Sequence, residues 1–351
     1  MTKPNTVGLL YGMERTFPEA LVPAIAERSR GRVVAEPVKI GAVRHDETPK
    51  YDVVLDRISH EVPFYRTWLK CAAARGTQVV NNPFWWAADD KFFENVVAQA
   101  AGVAVPRTVV LPHKEHPPNT KSESFTNLVF PMDWQAVFTY LGFPIFLKPA
   151  YGGGWRDVYK VSTPDEFFSA YSNTHTLCMM AQEAIEFTEY YRCYAVGRSA
   201  VRIMRYDPSK PFHERYVKDA PRPSAALEKR MTRDAVALCR ALGYDLDTIE
   251  FAVRDGVPYA IDFMNPAPDC DVHSVGQENF DWIVRLTADL LVERALAPRP
   301  VELSGDWPER MTLRKPAKKA APPARPATPP ARRSSGPGKT KPAVAAGRGK
   351  R

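Results

Sequence analysis

The order of the apolar runs constrains this chain more than any other feature. Over residues 1–85 each short apolar run is followed by a segment with helical spacing, whereas from residue 178 onward strand runs succeed one another. Thr6–Tyr11 reads as a buried strand, and Phe17–Arg28 as a helix with Thr16 as its cap and Pro18 in its first turn. Tyr51–Ile58 predicts a second strand, Phe64–Ala74 an amphipathic helix, and Thr77–Val80 a third strand ending at Asn81-Asn82-Pro83. Strands separated by helices build a parallel α/β layer. Beyond it, Asp89–Gly102 predicts a helix stopped by glycine, Val103–Val110 a strand, Trp134–Leu141 a helix, Pro144–Pro149 a strand and Pro164–Tyr171 a short helix. Cys178–Ala184, Tyr191–Val196, Ala200–Tyr206 and Arg215–Val217 then read as strands, and Ala225–Leu242 as a long helix. Two further strands, Thr248–Val253 and Pro258–Phe263, are joined by Arg254-Asp255-Gly256-Val257, a hairpin signal, and Phe280–Ala295 is the last helix. The expected fold class is α/β plus α+β: a parallel α/β lobe over 1–85 and a second domain over 86–300 that is largely antiparallel from residue 178 onward.

Charge separates a third part. The 48 Lys and Arg exceed the 40 Asp and Glu to give a formal +8. Residues 314–351 carry twelve of those cations and no acid, which leaves 36 basic against 40 acidic residues, a net of −4, in 1–313. The segment also holds eight of the 33 prolines. With few apolar side chains to offset its ordering entropy, it is expected to be disordered. Its GPGKT ends like a phosphate loop, but the first glycine of that motif falls on Arg333 and no strand precedes it, so it reads as low complexity. No run of 18 apolar residues exists, which excludes an apolar helical span. The opening MTKPNTVGLLYG reads as a strand rather than a cleavable leader. Cys71, Cys178, Cys193, Cys239 and Cys270 are scattered without metal or disulfide spacing, and a reducing, cytoplasmic setting is expected. The histidines form no catalytic or metal pattern, and Trp85-Trp86 reads as packing between lobes.

Three groupings carry chemistry. Glu250 and Asp262 sit on the two strands of the hairpin, with Asn265 just beyond; carboxylates and an amide oxygen are hard ligands of the kind Mg²⁺ accepts. A solvated strand face would present the same residues, although both strands are otherwise apolar, and a carboxylate there needs a partner. Lys148 closes an apolar strand ahead of Gly152-Gly153-Gly154, a loop whose N–H groups can approach phosphate oxygens, or an ordinary flexible turn. Lys91 opens a helix, where a cation opposes the macrodipole unless a ligand or the adjacent Asp89-Asp90 offsets it. Gln182-Glu183-Ala184-Ile185, then Glu189, follow a strand, and Arg192, Arg202 and Arg205 recur along neighbouring strand runs, facing either a cleft or solvent.

In this order the pieces resemble the ATP-grasp superfamily, in the carboxylate–amine ligase branch that includes glutathione synthetases and ribosomal-protein glutamate ligases. The resemblance spans roughly residues 80–297. It rests on DKFFENVVAQAAGVAVPRT, FPIFLKPAYGGG, AQEAIE and EFAVRDGVPYAIDFMNPAP, with 1–85 as the preceding lobe. It implies Lys91 and Lys148 as the nucleotide lysines, Gly152, Gly153 and Gly154 as the loop over the phosphates, and Gln182, Glu183, Ala184 and Ile185 as the hinge whose backbone holds adenine. Glu189 falls near the ribose position. Glu250, Asp262 and Asn265 are the implied metal ligands, and Arg202 or Arg205 would steady the phosphates as catalytic residues. Two residues, Phe263 and Met264, separate Asp262 from Asn265 where the usual motif has one, and Asp269 stands where relatives often have Gly.

The implied reaction is ATP-dependent ligation, with ATP and Mg²⁺ (or Mn²⁺) bound between two subdomains. A small carboxylate, from an amino acid or peptide, attacks the γ-phosphate; the acylphosphate formed is then opened by an amine. An ATP-grasp phosphotransferase, or a nucleic-acid-associated protein acting through residues 314–351, are the competing expectations.

Overall fold

The computed structural model describes residues 3–47, 49–84, 90–211, 214–263, 265 and 267–300. Trp85, Trp86, Asp89, Met264 and the basic segment 314–351 lie outside the described residues.

Four strands form the first sheet: β1 (Asn5–Leu10), β2 (Val33–Pro37), β3 (Val53–Asp56) and β4 (Gln78–Val80), all parallel in the order β2-β1-β3-β4. Parallel neighbours need crossovers, supplied by α1 (Thr16–Ser29) between β1 and β2 and α2 (Pro63–Ala74) between β3 and β4. Helix α2 buries Trp68 and Leu69 against Leu10, Tyr51 and Val54 on one face; Leu21 and Ile25 of α1 pack with Val7, Val53 and Leu55 on the other. Thr16 is not the cap. The N-cap is Arg15, without a side-chain bond, and the Thr16 hydroxyl instead donates to Asp271 at 3.0 Å. Strand β2 was not expected, because Glu36 and Pro37 interrupt its apolar pattern.

The second sheet is antiparallel, in the order β5-β8-β6-β7: β5 (Thr108–Val110), β6 (Ile145–Pro149), β7 (Tyr159–Val161) and β8 (Met179–Glu183). Helices α4 (Trp134–Leu141) and α5 (Pro164–Ser172) pack on it, whereas α3 (Lys91–Ala100) buries Val97 and Ala98 with Cys193, Ile249 and Phe251. The strand expected over Val103–Val110 begins only at Thr108, after Pro106, which has no N–H to give a ladder. The antiparallel architecture expected from residue 178 thus reaches back to Thr108.

The third sheet, order β10-β9-β11-β12, contains β9 (Glu189–Val196), β10 (Ala200–Arg205), β11 (Leu246–Arg254) and β12 (Val257–Asp262). Helix α6 (Ala225–Leu242), capped by the Ser224 hydroxyl, buries Met231, Ala235 and Leu238 against Cys193, Ile249 and Phe251 on one face. A short α7 (Val272–Val275) leads into α8 (Gln277–Leu296). Its Ile283 and Leu291 join Tyr194 and Leu246 of this sheet to Val7 and Leu55 of the first in one core. Arg215–Val217 does not form a strand of its own. Tyr216 makes a single bridge to Tyr206, and the Val217 N–H donates to the Arg205 carbonyl at 3.1 Å.

Polar clamps join the first sheet to the third. The Asn81 amide donates to the Leu246 carbonyl at 2.7 Å and accepts the N–H groups of Asp245 and Leu246 at 2.8 and 2.9 Å. Arg294 of α8 donates to both Asp245 oxygens at 3.0 Å, and Asn5 donates to the Ala295 carbonyl at 2.6 Å. All five cysteines are unpaired. Among the described residues no helix is long and apolar enough to cross a membrane.

Candidate active site

Between the second and third sheets runs a cleft of about 380 Å³. Phe146, Ile185, Phe187, Tyr190 and Ala252 make one end apolar, while Lys91, Lys148 and the glycine loop make the other cationic. Glu250 and Asp262 lie on its third-sheet wall.

The cationic end is built from strand and helix termini. Asp90 caps α3 by accepting the Phe93 N–H at 3.0 Å, which fixes Lys91 in the first turn. The Lys91 N–H donates to the Ala150 carbonyl at 2.9 Å and its ammonium to the Gly152 carbonyl, so the loop is tied to the helix. Gly152 and Gly154 have φ of +88° and +74°, and a Cβ there would meet nothing within 4 Å. Backbone conformation, not space, therefore requires glycine at these two positions. Lys148 reaches from the end of β6 to the Ile261 carbonyl at 3.5 Å. Burial pulls its ammonium below the usual range and Lys91 adds to this, while Asp262, Glu94 and Glu250 push back.

Glu250 and Asp262 are register partners on β11 and β12, beside an irregularity between Glu250 and Phe251. The Tyr190 hydroxyl donates to Glu250 at 2.6 Å, and the Arg192 Nε lies 3.8 Å away. Burial raises the Glu250 carboxyl above its ordinary range; Arg192 works against this and Asp262 with it. Asp262 is exposed. Two carboxylates in register on one wall could hold Mg²⁺, which accepts hard oxygen ligands, keeps several waters and takes few protein ligands. Asn265 is turned to local work. Its N–H donates to the buried Asp247 at 2.7 Å, and its side-chain oxygen accepts the Ala267 N–H at 3.2 Å. Among the described residues no cluster of three or more His, Cys, Asp or Glu side chains is arranged to hold a metal.

Several expected residues stand apart from this cleft. Gln182, Glu183 and Ile185 line it, and the Ala184 N–H is bonded to the Pro144 carbonyl at 3.1 Å. Glu189 accepts from Arg205 at 3.1 Å and from the Tyr191 hydroxyl, away from the cleft lining. Arg202 donates to Asn279 at 2.8 Å and to Glu278 at 2.6 Å. Arg202 and Arg205 thus line a different hollow, of about 610 Å³, along the edge strand β10. The arginine beside Glu250 is Arg192, placed there because β9 pairs residue 192 directly with 250.

Two further groups were not singled out in the sequence. Glu94 is a buried carboxyl, 2% exposed, on α3; burial raises it well above its usual range, and Asp262 and Asp247 add to this against Lys91. The apolar spacing of α3 would have flagged an acid at this inward position. Arg215 lies over the Trp155 ring, 5.9 Å from its centroid, and links the segment before Tyr216 to the glycine loop.

The architecture matches solved structures over most of the chain. The RimK-domain ATP-grasp protein of Sphaerobacter thermophilus superposes with a TM-score of 0.59 at 20% identity, covering 82% of this chain and 99% of that one. The VanG D-Ala:D-Ser ligase of Enterococcus faecalis gives 0.59 at 16% identity, covering 83% and 99%. The fold is ATP-grasp. A third ATP-grasp structure, the ligase PsnB complexed with a minimal precursor, matches at 0.58 and 14% identity, covering 83% and 99%. In sequence, the D-alanine–D-alanine ligase of Ralstonia nicotianae is 27% identical over 202 residues, 50% of this chain. The mitochondrial pyruvate carboxylase of Rattus norvegicus is 29% identical over 191 residues, 49% of this chain and 15% of that protein. This chain spans about 58% of the length of the D-alanine–D-alanine ligases it matches. No family model matches it.

Proposed function

We propose that this protein is an ATP-dependent ligase that joins a carboxylate to an amine through an acylphosphate. One observation carries the reading: two lysines and a positive-φ glycine loop face a pair of adjacent carboxylates across a single cleft with an apolar far end. That is the polarity a nucleoside triphosphate needs, with its base among Phe146, Ile185 and Phe187 and its phosphates between Lys148 and Asp262. The related folds, D-alanine–D-alanine ligases among the sequence relatives, and PsnB with its precursor, support an amino acid or peptide as substrate.

In this reading Lys91 and Lys148 neutralise the phosphates, and Gly152–Gly154 close over them to exclude water from the acylphosphate, which hydrolyses readily. Main-chain groups of Glu183–Ile185 hold the base. Glu250 and Asp262 would hold Mg²⁺, which spreads charge that develops on the transferred phosphoryl group. Arg192, fixed by Tyr206 at 3.2 Å and Thr248 at 3.1 Å, orients Glu250 and opposes the effect of burial on its carboxyl. A substrate carboxylate attacks the γ-phosphorus, ADP leaves, and an amine displaces phosphate from the acyl carbon.

The test is ADP release with Mg-ATP across amino acids and short peptides, followed by mass analysis. An amide product, one water lighter than the summed acid and amine, with equal ADP and phosphate, is expected. A phosphorylated product formed without an amine would instead make the protein a phosphotransferase, and no nucleotide turnover or binding would overturn the assignment.

A further inference from the structure

Beside the apolar end of the cleft stands an ion triad, of which Glu183 alone lines the cleft, that the ligase chemistry leaves unused. Glu183 is the last residue of β8, in the second sheet, and Arg254 is the last residue of β11, in the third. Arg254 Nη1 donates to one Glu183 oxygen at 2.8 Å, and Arg107 Nε donates to the other at 2.9 Å. Both arginines are braced. Arg107 also donates to the Leu141 carbonyl at the end of α4 at 3.0 Å, and the Arg254 guanidinium sits 4.7 Å from the Tyr259 ring centroid on β12. Burial works against the Glu183 charge, but hydrogen bonds from Arg107 and Arg254 outweigh it and hold the carboxyl below its ordinary range.

We infer that Arg107, Glu183 and Arg254 form a strut that fixes the separation of the two sheets at the base end of the nucleotide cleft. The inference rests on the nucleotide reading of that cleft. Its consequence for recognition is specific. With each Glu183 oxygen accepting from an arginine, the carboxylate is held in the strut and is not free to turn toward the base, although the residue lines the cleft. Base contacts fall to the main chain, where the Ile185 N–H has no hydrogen-bond partner among the described residues, and to the apolar walls. The two ends of the cleft are fastened unequally. At the phosphate end the Lys148–Ile261 contact is long, 3.5 Å, whereas at the base end the link is a charge-assisted bond of 2.8 Å.

The positions of these residues in the fold make the triad a positioning device, and the measurement must separate it from general stability. Isothermal titration of the full chain with Mg-ATP and with Mg-tripolyphosphate does so, because the second ligand has phosphates and no base. Arg254→Ala should weaken Mg-ATP about tenfold, the worth of one hydrogen bond to a charged group. It should leave Mg-tripolyphosphate unchanged, and Arg254→Lys should recover most of the loss. Where Arg254→Ala does not fold, Glu183→Gln, isosteric and still an acceptor, gives the same contrast at a few-fold level. Equal weakening of both ligands, or unchanged Mg-ATP affinity in these variants, would overturn the strut. A wild-type chain that binds neither ligand would overturn the nucleotide reading first and the strut with it.

Discussion

Glu250 and Asp262 face the same cleft, yet neutralising them should change stability by different amounts. Glu250 is 15% exposed and Arg192 7%, with 3.8 Å between their charges. At an effective dielectric of about 20, that separation corresponds to roughly 4 kcal/mol of attraction. Part of it is offset, because burial and the neighbouring Asp262 already oppose ionisation of Glu250. In Glu250→Gln the Tyr190 hydroxyl keeps an acceptor, and Arg192 keeps Tyr206 and Thr248. A net loss of about 2 kcal/mol follows, near half the gross attraction, since a buried guanidinium is left without its counter-charge. Asp262→Asn removes a like charge from beside Glu250 at an exposed position, and its effect should stay within about 0.5 kcal/mol. Both variants lose half of the proposed cation site and should release ADP from Mg-ATP at least about 100-fold more slowly, the scale of removing one preorganised electrostatic group. Urea unfolding at neutral pH gives the first quantity and a coupled ADP assay the second. Equal stability losses in the two variants would refute the role given to Arg192, and wild-type ADP release in either would refute the cation site.

Other perturbations follow from the same geometry. Asp245→Ala strands the buried Arg294, and Arg198 2.9 Å from the carboxylate; it should cost about 3–5 kcal/mol in denaturant unfolding. Glu94 has its folded pKa raised, so its contribution to stability is full below the ordinary glutamate range and is lost as pH rises through the folded value. Glu94→Gln should therefore flatten that fall in thermal midpoints recorded from pH 4 upward, and an unchanged slope would remove the argument. Gly152→Ala forces a φ of +88° on a residue with a Cβ; it should reduce ADP release and cost on the order of 1–3 kcal/mol in thermal unfolding, because the strain is conformational and open space does not relieve it.

The parallel lobe was legible because its strands are continuous apolar runs broken by helices, and the hairpin because Asp255-Gly256 permits a tight turn between two such runs. Lys91, Lys148, the glycines and Asp262 drew notice because they sit at or beside an element's end, and Glu250 because it interrupts an otherwise apolar strand. Arg192 could not be ranked above Arg202 and Arg205 from spacing alone. The choice depends on which strand pairs with β11, and β9 rather than β10 does so. Glu183 could be placed in the cleft but not in its triad, because Arg107 and Arg254 lie 76 and 71 positions away. Thr16 read as a cap because local propensity favours it there, and its tertiary bond to Asp271 prevailed.

The packing of α8 bears on the order in which the molecule assembles. Leu291 and Ile283, near the end of the described chain, complete the core around Val7 and Leu55, and Asn5 is bonded to Ala295 across 290 positions. During synthesis the first lobe emerges with that sheet face bare on its α8 side, and it stays so until α8 itself has left the ribosome. Pairings of such long range form slowly, and exposed apolar strands invite association in the interval. The nascent chain is thus the stage at which chaperone binding should be strongest, and a segment 277–296 supplied early, by circular permutation, should shorten it.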